Sequence, residues 1–317
     1  MLAPIRALFF PVATPAAPAT NLPPSNPPCQ APTGPVTADS GAQSGWTRYR
    51  GWVTLSLRPA QGEARVYFRR AKLLTTRATD GQRLSALARF VLDTPELRDA
   101  YAALLSGIRL SAPFGSGKSI LVTSTQPNEG KTTVAACLAI AASLSGQTVL
   151  LIDGDLRRPS LASAAGIANG VGFAEVLEGR AETADTIYPV ELFEDPRGAG
   201  AVSVMGAGGK SPEFLPRVDW SRARTTFQSI AEPFGLVLFD SPPILAANDA
   251  LLRAGIVDGV LLVVDAGNAD RHDVRRAKEQ LEAIGTPLLG AVLNQFDPKI
   301  HGRAKQPYQG YHLDADR

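Results

Sequence analysis

The sequence predicts an α/β fold: a three-layer sandwich with a mostly parallel central sheet and helices on both faces, preceded by a disordered N-terminal arm. Two observations carry the fold. From Ser119 onward, short apolar runs alternate with helical runs, and such alternation implies right-handed crossovers and a parallel sheet. The apolar runs are rich in Val, Leu and Ile without a polar alternation, as strands buried on both faces should be. A third observation places a site. The first run leads into Thr125-Gln126-Pro127-Asn128-Glu129-Gly130-Lys131-Thr132-Thr133, and two later runs end in Asp153 and Asp240. All three would meet at the carboxyl ends of a parallel sheet, where such folds bind their ligands.

The elements follow in order. Residues 1–45 are rich in Pro, Ala, Thr and Ser with almost no charge. Such a composition buries too little apolar surface to offset chain entropy, and it reads as a disordered, partly polyproline-like arm. Within it, Met1 to Thr20 is the nearest approach to an apolar leader. Pro11, Pro15 and Pro18 interrupt it, and a signal peptide is not the favoured reading. Residues 46–92 form a basic linker or small accessory segment. Trp52–Leu57 and Ala64–Phe68 have strand character around a turn-like Pro59-Ala60-Gln61-Gly62. The domain proper is expected over 93–300, with 301–317 as a flexible, tyrosine-containing tail.

Helices are expected at Ser85–Leu92 and Pro95–Leu110. Asp93-Thr94-Pro95-Glu96 places Pro in the first turn with Glu behind it, and Leu97, Tyr101, Leu104, Leu105 and Ile108 then recur at helical spacing. Strands are expected at Ile120–Ser124, Val149–Asp153, Val202–Met205, Leu236–Asp240, Val260–Val264 and Leu288–Leu293. Helices between them are expected at Thr132–Leu144, Phe173–Leu177, Trp220–Ala231 and Asp273–Ile284, the last stopped by Gly285.

Composition excludes several classes. Hydrophobic residues make up 44% and charged residues 20% of the 317, ordinary for a globular protein. A formal net charge of +2 gives no footprint for specific nucleic acid. Cys29 and Cys137 make neither a disulfide framework nor a metal-ligand spacing, and Cys137 reads as a small hydrophobe in a buried helix. No stretch approaches the ~20 apolar residues of a spanning helix. His272, His301 and His312 show no metal spacing and are assigned no role.

The loop at 125–133 has the chemistry of a phosphate cradle, which makes the expected fold a P-loop sandwich. Gly130 lets the backbone approach phosphate closely. Lys131 offers a point charge to the β- and γ-phosphates, Thr132 a hydroxyl for Mg²⁺, and the following helix its N-terminal dipole. Gln126, Pro127, Asn128, Glu129 and Thr133 complete the expected binding loop. The common motif has glycine at position 125, where this chain has Thr125. Asp153 and Asp155 alternate on an extended segment, so both carboxylates can face one side. One can hold Mg²⁺ through water while the other accepts a proton from a hydroxyl nucleophile. Asp240, ending an apolar strand, is placed as a Mg²⁺-directed aspartate. Arg157 and Arg158 are read equally as phosphate or subunit contacts and as surface charge. Asn294 and Asp297, at the end of the last strand, suit either the reading of an adenine edge or plain loop capping.

Taken together, TSTQPNEGKTT, LLIDGDLRRPSL, LVLFDSPPIL and AVLNQFDP strongly resemble the bacterial tyrosine kinases that serve capsule and exopolysaccharide assembly. The match runs from about Asp93 to the C-terminus, and its most specific element is Asp153-Gly154-Asp155-Leu156-Arg157-Arg158-Pro159. The resemblance implies that Lys131 and Thr132 bind ATP·Mg²⁺, that Asp155 and Asp240 organise the metal, and that Asp153 is the base for tyrosine. It implies autophosphorylation of a C-terminal tyrosine cluster, here Tyr308 and Tyr311, and a homo-oligomer. It also implies a membrane-embedded polysaccharide co-polymerase or activator as partner, which would hold a cytoplasmic chain at the inner face of the plasma membrane. One departure stands out. The family's Glu-x-x-Arg-x-x-Arg ring contact aligns with Asp99, Ala102 and Leu105, so both arginines are absent. Two other readings remain. A partition- or septum-type positioning ATPase would carry a signature lysine where this chain has Gln126, and a nucleotide-responsive regulator of an export complex would need little phosphotransfer.

Overall fold

A computed structural model describes residues 6–8, 66–67, 83–111, 119–167, 170–192, 201–209, 218–246 and 248–295. The remainder of the expected arm, the expected strand at Trp52–Leu57, Asp297 and the tail with Tyr308 and Tyr311 lie outside the described residues. In chain order the elements are β1 (Arg6–Leu8), β2 (Val66–Tyr67), α1 (Arg83–Asp93), α2 (Pro95–Ser111), β3 (Ser119–Ser124), α3 (Lys131–Leu144), β4 (Val149–Asp153), α4 (Leu161–Ala165), α5 (Phe173–Leu177), β5 (Ile187–Glu191), β6 (Ala201–Met205), α6 (Trp220–Ala231), β7 (Leu236–Asp240), α7 (Asn248–Ala254), β8 (Gly259–Asp265), α8 (Arg271–Ile284) and β9 (Leu288–Asn294).

The strands form one sheet in the order β2-β1-β9-β8-β3-β7-β4-β6-β5. Every pairing from β9 to β6 is parallel. Both edges are closed by antiparallel strands: β5 on β6, and β1 on β9 with β2 outside it. The pleat sends alternate residues of each strand to opposite faces. Ile120, Val122, Val149, Leu151, Leu236 and Leu238 join a core with α1, α2 and α3. Leu121, Leu150, Ile152, Val237 and Phe239 join a second core with α5, α6, α7 and α8. The layers are those the sequence predicts.

Helix α3 is covered on all sides, since Val134 to Ser143 are buried without interruption. The sheet lies on one side and α1 and α2 on the other, so this alanine-rich helix can be apolar all round. Tyr101 of α2 meets Cys137 of α3 in this layer, and burial pushes the Cys137 thiol up to about 12. The cysteine therefore acts as a small hydrophobe, as expected. Helix α8 ends at Gly285 with φ 81°, the left-handed stop the sequence indicates.

The sequence did not indicate β1, at the start of the expected arm, nor β5, α4 or α7. β5 carries Pro189 in its middle, which argues against a strand unless it lies at an edge, and an edge is where it lies. α4 and α7 are too short for a periodic signal.

Helix α2 also bears on assembly. Asp99 and Ala102 are exposed, but Leu105 is only 5% exposed and belongs to the core shared with α3. Arginine at the two positions therefore has unequal effects. Ala102→Arg is expected to change stability by no more than about 0.5 kcal/mol. Leu105→Arg removes a core side chain and buries a guanidinium, costing about 3 kcal/mol or more. Urea unfolding of the two variants checks this, and equal midpoints would contradict the placement of Leu105. No helix among the described residues is long and apolar enough to cross a membrane.

Candidate active site

The site forms where β3, β7 and β4 end side by side. Asp153 and Asp240, the last residues of β4 and β7, are direct register partners, and the loop leaving β3 turns into α3 in front of them. Gly130, with φ 88°, sits at the N-terminus of α3 without any side-chain cap, and no acidic residue lies in the first turn. By contrast, α6 and α8 are capped by Asp219 and Asp270. The first amides of α3 thus remain available to an anion. A Cβ at Gly130 would lie 2.1 Å from Asn294 Nδ2, so both the backbone angle and the space require glycine.

Lys131 and Thr132, the first residues of α3, reach the two strand ends. Lys131 Nζ lies 3.4 Å from Asp155 Oδ2. Thr132 Oγ1 donates to Asp240 Oδ2 at 2.6 Å. Asp240 is 1% exposed and its Oδ1 is buried without a hydrogen-bond partner. Burial, only partly offset by the nearby Lys131 charge, holds Asp240 up at about 7, and the Asp153 carboxylate adds to the rise. Asp153 is fully buried and accepts from the amides of Asp155 (3.1 Å), Ser160 (2.8 Å) and Leu161 (2.9 Å). Burial again wins, holding Asp153 up at about 6 against the pull of those amides. Between the two aspartates Gly154 is packed so closely on Phe239 that a Cβ would lie 2.2 Å from that ring. Its amide donates to the Asp240 carbonyl at 2.7 Å.

Asp153, Asp155, Asp240, Lys131 and Thr132 therefore come together as the sequence suggests. Asp155 faces the Lys131 ammonium, and Asp240, held by the Thr132 hydroxyl, keeps one buried oxygen without a partner. Among the described residues no three carboxylates form a metal cluster by themselves, but oxygen donors of this kind suit a hard divalent cation that phosphate and water also ligate. The phosphate-loop residues divide. Pro127 and Asn128 are exposed at its tip, and Asn128 has φ 67°. Thr133 is half-buried in the first turn of α3. The Gln126 side chain donates to Asp273 of α8 at 2.9 Å. The Glu129 carboxylate is occupied by the chain's own donors, Thr125 Oγ1 and the Gln126 and Asp265 amides. Asn294 Nδ2 donates to the Glu129 carbonyl at 2.7 Å, and its Oδ1 accepts from the Gln295 amide at 2.9 Å. Of the two readings of Asn294, loop capping is the one this geometry fits. Sequence reasoning missed Gln295, which has φ 59° and donates through Nε2 to the Asn128 carbonyl at 3.1 Å. Its only signal was its place next to Asn294.

Comparison with known proteins gives the site its context. Residues 120–309 match the family described as the CobQ/CobB/MinD/ParA nucleotide binding domain. The chain is 32% identical over 213 residues to tyrosine-protein kinase YwqD of Bacillus subtilis (strain 168), covering 67% of this chain and 86% of that protein. It is 31% identical over 199 residues to tyrosine-protein kinase CpsD of Streptococcus agalactiae serotype III (strain NEM316), covering 62% and 82%. Among solved structures, the kinase domain of the Escherichia coli tyrosine kinase ETK superposes with a TM-score of 0.61 at 27% identity, over 74% of this chain and 87% of that one. With this fold, this phosphate loop and these relatives, the chain belongs to the bacterial tyrosine-protein kinases within the CobQ/CobB/MinD/ParA nucleotide binding domain family.

Proposed function

We propose that this chain is an ATP-dependent protein-tyrosine kinase that phosphorylates tyrosines of its own C-terminal tail, Tyr308 and Tyr311, and regulates polysaccharide assembly and export. One observation carries the reading. Asp153 and Asp240 are register neighbours at the ends of β4 and β7, directly before the open N-terminus of α3 with Lys131 and Thr132. Kinase relatives matched over most of their own length support it.

The residues fit ATP and Mg²⁺. The amides at the start of α3 and the Lys131 ammonium would hold the phosphates. Thr132, Asp155 and Asp240 would hold the metal, directly or through water. Bound Mg²⁺ supplies positive charge to the phosphoryl oxygens in the transition state. In the transfer, the phenol oxygen of tyrosine bonds to the γ-phosphorus, the bond to the β,γ-bridging oxygen breaks, and ADP leaves. The phenol proton passes to Asp153. Burial places this carboxylate at about 6, close enough to neutrality for a general base. Its three backbone donors fix its orientation: Oδ2 accepts from two of them and Oδ1 from the third, which leaves Oδ1 a lone pair to take the proton.

A membrane-embedded polysaccharide co-polymerase or activator remains the proposed partner, recruiting the chain to the inner face of the plasma membrane. Two features support the regulator reading: α2 does not carry the two arginines of the family's ring contact, Leu105 being buried in the core, and the tail holds only two tyrosines.

Asp153→Asn is the direct test. Phosphopeptide mapping of purified protein after incubation with ATP·Mg²⁺ is expected to find tail phosphotyrosine reduced at least about a hundredfold, as loss of a general base typically costs. Undiminished tail phosphate in this variant would remove Asp153 from the chemistry.

A further inference from the structure

Glu129 lies inside the phosphate loop and is only 4% exposed. Both oxygens accept from Thr125 Oγ1 at 2.9 Å. Oε2 also accepts from the Gln126 amide at 2.8 Å, and Oε1 from the Asp265 amide at the end of β8 at 3.2 Å. The Glu129 carbonyl accepts a hydrogen bond from Asn294 Nδ2 at the end of β9. Around this centre Gln295 holds the Asn128 carbonyl and Gln126 reaches Asp273 of α8. Loop, β8, β9 and α8 are thus tied together through one buried carboxylate and its neighbours. Asn128 and Gln295, the positive-φ residues other than glycine among the described residues, are joined across this clasp. A left-handed conformation is unfavourable for such residues and persists where the surroundings hold it. Thr125, the residue that departs from the usual glycine, supplies the hydroxyl that glycine could not.

We propose that Glu129 is a positioning residue whose carboxylate holds the phosphate loop in its binding shape before nucleotide arrives. The proposal rests on the nucleotide-binding reading of the loop. An anionic side chain pointed at phosphates would repel them. Turned onto the loop's own amide and hydroxyl, it removes an ordering cost that binding would otherwise meet. Glu129 therefore governs how readily the loop accepts ATP, not the rate of transfer once ATP is seated.

The experiment uses the full chain as wild type, Glu129→Ala and Glu129→Gln. Hydrogen exchange of the peptide spanning 124–131 is measured without nucleotide, with a β4 peptide as the folding control, alongside ATP·Mg²⁺ titration and steady-state kinetics. In Glu129→Ala the loop is expected to exchange at least about tenfold faster and to bind ATP·Mg²⁺ roughly tenfold to a hundredfold more weakly, as loss of charge-assisted hydrogen bonds implies. KM for ATP rises while kcat at saturation stays within about twofold, the signature of lost binding that does not change between ground and transition state. Glu129→Gln keeps the shape and one acceptor and falls between; it also carries the test if the alanine variant does not fold. Unchanged loop exchange in both variants overturns the proposal. So does a fall in kcat at unchanged KM, which would put the carboxylate at the reacting atoms. Should wild type fail to bind ATP·Mg²⁺, the nucleotide reading fails, and loop exchange still decides whether Glu129 holds the loop.

Discussion

Lys131→Met is expected to lower tyrosine phosphorylation by about a thousandfold or more, the scale on which a preorganised charge at a transferring group acts. Two losses combine. The ammonium that would neutralise the phosphates disappears, and methionine replaces it with a side chain of similar reach and no charge. The aspartate cluster also loses its counter-charge. Lys131 lies 3.4 Å from Asp155 and draws the Asp240 pKa down. Without it Asp240 rises above its present value of about 7 and is largely protonated at neutral pH, when it can no longer serve a cation. Nucleotide binding and transfer should therefore fall together, with Mg²⁺ dependence weakened in what remains. Because Lys131 is only partly buried at the edge of the cluster, the fold should survive. Tail phosphate persisting at wild-type levels in a variant purified free of other kinases would sink the assignment of the phosphate loop.

Asp240→Asn is expected to move stability and function in opposite directions. Asp240 is held at about 7 against an ordinary 3.8, chiefly by burial. Since the folded-state pKa lies above the unfolded one, the unfolded chain releases its proton first as pH rises. The folding free energy this group supports is fully present below about pH 4, declines between about pH 4 and 7, and is flat above. Asparagine has no proton to lose. A shift of about three units corresponds to at most about 4 kcal/mol. The new amide must also occupy the place where Oδ1 has no partner, at a cost of about 1–3 kcal/mol. The nucleotide-free variant should thus be about 1–3 kcal/mol more stable than wild type near pH 8, and the advantage should vanish or reverse below about pH 5. ATP·Mg²⁺ should raise the melting temperature of wild type and leave the variant unmoved. A variant less stable than wild type by the same amount at both pH values would mean that the Asp240 carboxylate is well paired in the folded chain, and its raised pKa would then be wrong.

The framework was legible because its signals are local and redundant. β3, β4, β7, β8 and β9 are continuous apolar runs, and each begins and ends within a residue of where the sequence places it. Asp153 and Asp240 were legible as strand ends, and their direct pairing follows from β7 lying between β3 and β4, an order no local pattern reveals. β5 was hidden by Pro189, whose tolerance depends on an edge position that only topology defines. Glu129 looked like part of the phosphate cradle because of where it stands in the motif. Its carboxylate instead serves Asp265, far along the chain, and no spacing encodes that contact. The left-handed turns at Asn128 and Gln295 were hidden for the same reason, since each is held by the other's segment. Leu105 shows the reverse case: its helical spacing with Leu97, Tyr101 and Ile108 already marked it as core, and its burial confirms that a ring arginine has no room there.

ATP-dependent phosphotransfer to tyrosine at this site is tested most directly by intact-mass spectrometry. Purified wild-type protein would be incubated with and without ATP·Mg²⁺, alone and with a fragment of a candidate membrane activator, beside Lys131→Met as control. Added phosphate is expected in wild type, dependent on both ATP and Mg²⁺ and mapping to Tyr308 or Tyr311, with none in the control. Wild-type protein that binds ATP·Mg²⁺ yet gains no phosphate, even with an activator shown to bind it, would contradict a kinase function and leave a nucleotide-responsive regulator in its place.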